Sequence, residues 1–194
     1  MTSKENKKMV VLLFPEENYV KIQEQFLQEF DERYNVSDVF DTIIRERYKK
    51  EGYEFVIVTY KDPKIAGVTE QPDRIVCSTV GQDDFYKNHE RMLELYDELA
   101  KQLNPEQYSE IVVGGYHVGI EHQDGCVNHL NNAINKISQN SSIDYELTNE
   151  FIKYAFIMKN QDYSIELNPN YKYYSNVSDL IDKKSIDKKS QFYT

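Results

Sequence analysis

The sequence predicts an α/β domain of three layers, in which a mostly parallel sheet carries helices on both faces. Short apolar runs rich in Val, Ile and aromatic residues alternate with longer segments whose apolar residues recur every three or four positions. With 194 residues, 40% of them hydrophobic, the chain is long enough for one sizeable core. We therefore expect a single α/β domain over residues 1–162 and a polar, low-complexity C-terminal tail over residues 163–194.

The first part of the chain predicts two buried strands separated by helical sequence. Residues 9–14 form a continuous apolar run, which is typical of a strand buried on both faces. Between residues 18 and 48 the apolar spacing indicates two helices, or one broken helix. Residues 53–60 are a second β-branched and aromatic run, and the Lys-Asp-Pro sequence that follows ends it.

The second part continues the alternation. Residues 74–80 predict a shorter strand, and the acidic pair Asp83 and Asp84 is interpreted as the cap of the next helix. Residues 111–113 predict a further strand, followed by a helix whose N-cap we expect to be Asp124. A last unit spans residues 143–147 and 151–158. Elements in this order favour a parallel sheet, because parallel strands need crossover connections.

Charge and composition exclude several classes of partner. The formal charge of −10 opposes binding to nucleic acids or anionic membranes, which require clustered Lys and Arg. The early apolar run is too short for a signal peptide, and no run approaches the roughly 18 residues of a membrane span. Cys77 and Cys126 are expected to be free thiols. The prediction is a cytoplasmic protein with a small-molecule partner, and a homo-oligomer is left open.

Residues 110–129, EIVVGGYHVGIEHQDGCVNH, carry most of the chemical information. They join a predicted strand to a predicted helix, a junction where open α/β sheets place ligand-binding groups. Cys126 falls in the first helical turn, where free amide N–H groups favour a thiolate. The predicted substrate-binding residues of this segment are Gly114, Gly115, His117, His122 and Asp124.

Two other interpretations of this segment remain open. Cys126 is equally consistent with a small thiol packed under its helix, with histidines on the surface. Alternatively, three of the four residues His117, His122, Cys126 and His129 could form a tetrahedral metal site. Their spacing matches no established zinc motif. The pair Gly114 and Gly115 matches neither the G-x-G-x-x-G pattern nor a Walker sequence with its Lys-Ser/Thr, which are the patterns of nucleotide-binding loops. We therefore expect no metal and no other cofactor.

The order of elements, together with IVVGG and the later Asp124-Gly125-Cys126-Val127 string, resembles the isochorismatase-like hydrolases, which include the nicotinamidases. In that family an Asp-x-Cys-Val turn follows a strand that ends near a Gly, and the Cys is the nucleophile. The resemblance covers residues 8–158. It implies an isochorismatase-like three-layer fold, with Cys126 attacking a carbonyl or related carbon of a small molecule.

The family also has an Asp at the end of its first strand and a Lys on the strand before its long helix. Phe14 and Pro15 stand at the first of these positions, and Glu16 is the nearest acid. Residues 78–80 at the second position contain no Lys, and Lys87 is the nearest one. The resemblance thus implies a catalytic set of Cys126, Glu16 and Lys87. The alternative is a small-ligand-binding or interaction protein that has lost the triad.

Overall fold

The computed structural model describes residues 7–16, 36–115, 125–148, 156–159 and 164–167. Within these residues five strands form one parallel sheet in the order β3-β2-β1-β4-β5, and two more strands form an antiparallel pair. The strands are β1 (Lys8–Leu13), β2 (Tyr53–Thr59), β3 (Arg74–Cys77), β4 (Glu110–Gly115), β5 (Ser141–Thr148), β6 (Phe156–Lys159) and β7 (Ser164–Leu167). The predicted α/β class with a mostly parallel sheet is confirmed.

Helices lie between β1 and β2, between β3 and β4 and between β4 and β5, whereas residues 60–73 connect β2 to β3 without a helix. The helices are α1 (Val36–Ile43), α2 (Gln82–Phe85), α3 (His89–Gln102) and α4 (Cys126–Ile137). α1 continues through a π-helical turn, Ile44–Tyr48, and a 3-10 turn, Lys49–Glu51, while a further 3-10 turn, Pro105–Gln107, precedes β4. No helix in the described part of the chain is long and apolar enough to cross a membrane.

Two predicted helix caps are wrong. Asp83 and Asp84 lie inside the first turn of α2, and α3 is capped by Asn88, whose side chain accepts a hydrogen bond from the Arg91 amide at 3.0 Å. An amide oxygen caps a helix as well as a carboxylate does, so composition alone did not distinguish them. The N-cap of α4 is Gly125, one residue after the predicted Asp124, and it provides no side-chain hydrogen bond.

The middle strand, β1, is buried on both faces. Met9, Val11 and Leu13 point into the core that α3 and α4 cover. Val10 and Leu12 are fully buried on the opposite face, because successive side chains of a strand alternate. A run without polar alternation is therefore explained by helices packing on both sides.

The opposite face is covered by α1 and the π turn that follows it. Phe40, Ile43 and Ile44 are fully buried. Tyr48 packs edge-on against Tyr53 at a ring-centroid distance of 5.1 Å, and its hydroxyl donates to the buried Asp144 of β5 at 2.5 Å.

The carboxyl ends of the strands meet at one edge, where the strand order reverses between β1 and β4. Leu13 and Gly115 are register partners at this edge. The crevice outside such a reversal is where open α/β sheets bind ligands.

Several predicted features lie outside the described residues: the helical sequence from residue 18 to 35, the loop 116–124 and most of the tail. Within the predicted tail, β7 pairs with β6.

Candidate functional site

A cleft of about 350 Å³ opens at the carboxyl edge of the sheet. The loops that follow β1, β2 and β3 supply its walls. Its lining contains four carboxylates and two ammonium groups: Glu16, Tyr60, Lys61, Asp62, Lys64, Gly81, Gln82, Asp83 and Asp84. The described lining of the cleft therefore has an excess of negative charge, and of the predicted site residues that the structure describes, Glu16 alone lines it.

Glu16 is a buried carboxylate, with 6% of its surface exposed. The hydroxyl of Thr59, the last residue of β2, donates to one of its oxygens, and the Lys64 amide donates to the other at 2.9 Å. Glu16 also forms an isolated antiparallel bridge with Ile65, and the Ala66 amide donates to the Pro15 carbonyl at 3.0 Å. These bonds fix the carboxylate against the loop after β2.

Phe14 occupies the position at which the resembling family has its acid. Its backbone φ of 52° is in the left-handed region, and its ring is 2% exposed. The ring stacks on Tyr60 at 4.0 Å and meets Phe85 edge-on at 5.4 Å. An aromatic cluster fills this position, and the nearest acid turns instead to the cleft.

Cys126 is the first residue of α4 and is partly buried. Its sulfur lies 3.2 Å from the Tyr86 hydroxyl, which in turn lies 2.6 Å from the Tyr60 hydroxyl. Tyr96 of α3, fully buried, lies beside these groups. We call Cys126, Tyr60, Tyr86 and Tyr96 the thiol cluster. Tyr60 belongs to it and also lines the cleft, so it connects the two sites.

Two histidines border the thiol cluster. The ring of His129, one turn along α4 from Cys126, stacks on Tyr96 at a centroid distance of 5.3 Å. His89, at the start of α3, is exposed, with its ring centroid 6.4 Å from that of His129. No group of three or more His, Cys, Asp or Glu within the described ranges could hold a metal ion. Two members of the predicted alternative site, His117 and His122, lie outside those ranges.

The structure does not place Lys87 in the cleft. It lies between α2 and α3 with 71% of its side chain exposed, and its ammonium pairs with Asp84. This hydrogen bond, together with the charge of Asp84, raises the pKa of Lys87. The side chain therefore remains a protonated surface cation.

Gly114 and Gly115 have a packing role at the end of β4. A Cβ atom on Gly114 would lie 2.4 Å from the carbonyl oxygen of Leu147 in β5. Gly115 has a φ of 150°, and a Cβ there would lie 2.7 Å from the carbonyl oxygen of Leu13. Close strand packing thus accounts for both glycines. Their predicted contact with a substrate, like that of His117, His122 and Asp124, stays a prediction.

Sequence reasoning missed Tyr60 and Tyr86, and it considered Cys77 only as a thiol inside an apolar strand. Cys77 is the register partner of Thr59, whose hydroxyl donates to Glu16. Burial, followed by the negative charges of Glu16 and Asp62, raises the pKa of Cys77. The position of Tyr60, directly after a buried strand, was a usable signal, because strand carboxyl ends converge at the ligand edge. Tyr86 gave no comparable signal.

The chain gives no significant match to any family model, to any curated protein or to any solved structure. The geometry of the two sites therefore carries the functional argument.

Proposed function

We propose that this protein binds a small, positively charged molecule in the cleft and that Glu16 recognises it. The observation that carries the proposal is a carboxylate that is buried and fixed by two donors, yet lines an open cleft. An ionised carboxylate only accepts hydrogen bonds, and its oxygens together offer about four lone-pair sites. The two protein donors therefore leave acceptor capacity for an ammonium group of a ligand.

The size and charge of the cleft support the same class of ligand. Small-molecule sites usually have volumes of about 300–1,000 Å³, and the volume of this cleft is at the lower end of that range. Clefts lined by one sign of charge concentrate ligands of the opposite sign. The four carboxylates and two ammonium groups of the described lining therefore favour ligands that carry an amine. The two lysines could also pair with a carboxylate on such a ligand, so amino acids belong to the same class.

In this proposal the chain is a divergent relative of the isochorismatase-like hydrolases that binds without catalysis. The parallel sheet and the position of Cys126 at the start of a helix after β4 support the relationship. Phe14 at the acid position and the surface pairing of Lys87 with Asp84 support the loss of the catalytic set.

Titration calorimetry tests the proposal with a panel of small amines, amino acids and carboxylic acids. We expect an amine or amino acid to bind and Glu16→Gln to weaken it at least tenfold, because the substitution removes the carboxylate charge. Asp41→Asn is the matched control. Asp41 is 5% exposed and accepts hydrogen bonds from the Thr69 and Glu70 amides at 2.8 and 2.9 Å, but it does not line the cleft.

Asp41→Asn should leave the affinity within about twofold of that of the wild type. The proposal fails if no amine binds, if the carboxylic acids bind better, or if both substitutions weaken binding equally. Equal weakening would show that the loop after β2 needs both carboxylates for its fold and that Glu16 has no specific role in recognition.

A second candidate function is hydrolysis by Cys126. The observation that favours it is the place of Cys126 in the first turn of a twelve-residue helix, where unpaired amide N–H groups stabilise a thiolate. A panel of amides and vinyl ethers, assayed with the wild type and with Cys126→Ser, tests it. Turnover that disappears in Cys126→Ser would establish this function, and the absence of such turnover would leave binding as the function.

A further inference from the structure

The environment of Cys126 is built from hydroxyl groups. The Tyr86 hydroxyl lies 3.2 Å from the sulfur, and the Tyr60 hydroxyl lies 2.6 Å from that of Tyr86. If Tyr86 donates its proton to the sulfur, its oxygen can accept the proton of Tyr60. Chains of hydrogen bonds polarise one another, so this arrangement favours negative charge on the sulfur.

Tyr96 provides the second, independent observation. Its side chain is 1% exposed, and its hydroxyl forms no hydrogen bond within the described part of the chain. The hydroxyl lies close enough to the Cys126 sulfur and the Tyr86 hydroxyl to interact with both electrostatically. The ring is held in place by stacking on His129 at 5.3 Å and by edge contact with Phe85 at 5.1 Å. The packed ring therefore holds a buried O–H group beside the thiol.

A buried O–H group without an acceptor has lost its hydrogen bonds to water without compensation, so proteins seldom keep one. Burial also raises the pKa of Tyr96 well above its ordinary value, so the hydroxyl keeps its proton. Among the described residues it is therefore a protonated donor beside Cys126 with no acceptor in hydrogen-bond geometry, and an oxygen atom attached to the sulfur would supply one.

We propose that Cys126 is a site of oxidation by hydroperoxides and that the Tyr96 hydroxyl holds the oxygen added to its sulfur. The thiolate attacks the terminal peroxide oxygen, an S–O bond forms and the O–O bond breaks. The sulfur loses two electrons, and the peroxide gains them. The transferred oxygen keeps its hydrogen, so the product is a sulfenic acid, and the departing hydroxide or alkoxide takes a proton from solvent. The sulfenic acid oxygen accepts a hydrogen bond from Tyr96. This site does not depend on a ligand in the cleft.

Access and chemistry distinguish Cys126 from Cys77. Cys126 is partly exposed, and its neighbour Tyr86 is 39% exposed, so a small peroxide can approach from that side. The pKa of Cys77 is raised by burial and by the charges of Glu16 and Asp62, which disfavours the reactive thiolate.

The test uses the full chain with Cys77→Ser, treated with hydrogen peroxide and trapped with dimedone, and follows the adduct on Cys126 by peptide mass spectrometry. Tyr96→Phe should slow adduct formation at least fivefold. Tyr108→Phe is the matched control and should remain within twofold. Tyr108 is a mostly buried tyrosine, 7% exposed, whose hydroxyl donates to Glu54 at 2.5 Å, so this change removes a tyrosine hydroxyl that does not contact Cys126.

Alkylation of Cys126 by iodoacetamide separates the proposed role from a general loss of structure. Alkylation adds no oxygen to the sulfur that Tyr96 could hold. The fold-decrease that Tyr96→Phe causes in the alkylation rate should therefore be less than half of the fold-decrease that it causes in the oxidation rate. If Tyr96→Phe does not fold, Tyr86→Phe replaces it, because Tyr86 is exposed and its hydroxyl is the one bonded to the sulfur. This variant should slow both reactions at least threefold. The proposal is overturned if no dimedone adduct forms on Cys126. It is also overturned if Tyr96→Phe is oxidised at the wild-type rate, or if this substitution slows oxidation and alkylation equally. Where Tyr86→Phe has to be used, a folded variant with unchanged rates of oxidation and alkylation overturns it.

Discussion

The cleft and the thiol cluster occupy the same edge of the sheet but have opposite chemistry. The cleft has a charged lining and holds its carboxylate with a hydroxyl and a backbone amide. The thiol cluster presents tyrosine hydroxyls to a sulfur atom. Phe14 packs against Tyr60 and Tyr96 of the thiol cluster, whereas Glu16, two residues later, turns to the cleft. An aromatic residue at the end of β1 thus packs on the side of the thiol cluster, and the acid and the thiol lie in different environments at this edge.

The largest effect is expected from Phe14→Asp, which introduces an acid at the position where the resembling family has one. Replacing a buried Phe by a small residue costs about 3–5 kcal/mol, and an unpaired carboxylate among aromatic rings adds to that cost. We expect the free energy of unfolding, measured by urea denaturation, to fall by more than about 4 kcal/mol, or soluble protein to be lost. Phe14→Leu, which keeps the site apolar, should cost less. If Phe14→Asp is instead stable and gains turnover that depends on Cys126, the new acid and Cys126 would form a working catalytic site, and the separation of the two regions would be contradicted.

Gly115→Ala should have the next largest effect. The substitution puts a Cβ atom 2.7 Å from the Leu13 carbonyl oxygen at a φ of 150°, a conformation strained for alanine. Overpacking and backbone strain each cost about 1–3 kcal/mol, so thermal and urea denaturation should show a loss of at least about 2 kcal/mol. Gly81→Ala is the control, because a Cβ there meets nothing within 4 Å. If the two variants are equally stable, close packing does not explain Gly115. The predicted contact of Gly115 with a ligand would then be the remaining explanation.

Glu16→Gln should speed the alkylation of Cys77. The pKa of this thiol is raised first by burial and then by the charge of Glu16, so neutralising Glu16 lowers the pKa. Below its pKa the thiolate fraction changes tenfold for each pKa unit, so a rise of about twofold to tenfold in the iodoacetamide rate at pH 8 is expected. Asp41→Asn should not change the rate. An unchanged rate in Glu16→Gln would mean that Glu16 carries no charge or is distant from Cys77.

The smallest effect is expected from Lys87→Ala. Exposed ion pairs contribute little to stability, and the Lys87 ammonium pairs with Asp84 at the surface. We expect no detectable change in the urea midpoint, in amine binding or in the alkylation rate of Cys126. Loss of any Cys126-dependent activity in this variant would assign Lys87 to the thiol site and contradict the separation of the two regions.

The fold could be predicted from the sequence to a large extent, because burial on both faces leaves a clear pattern. The apolar runs that became β1 and β2 were identified within about one residue. Helix ends were less predictable, since Asn88 and Gly125 act as caps beside acids that looked equally suitable. Local sequence does not determine which of several neighbouring polar groups closes the helix.

The candidate site was less predictable, because it depends on which loops meet at the edge of the sheet. The sequence pointed to Cys126 and to Glu16 as the nearest acid, but it could not show that they belong to different environments. That outcome depends on the aromatic packing of Phe14 and on the hydrogen bonds that hold Glu16 against the loop after β2. Tyr86, 40 positions from Cys126, reaches the sulfur only through the packing of α3 against α4.

Amide chemical shifts during titration with the tightest-binding amine test the central claim most directly, since each region has its own reporter amides. The account predicts that the amides of Lys64, Gly81 and Gln82, around the cleft, shift in proportion to occupancy. The amides of Val127 and Leu130, next to Cys126, should shift little. Shifts centred on Val127 and Leu130, with Lys64 and Gly81 unchanged, would place the ligand at the thiol and contradict the separation of a binding cleft from a thiol site.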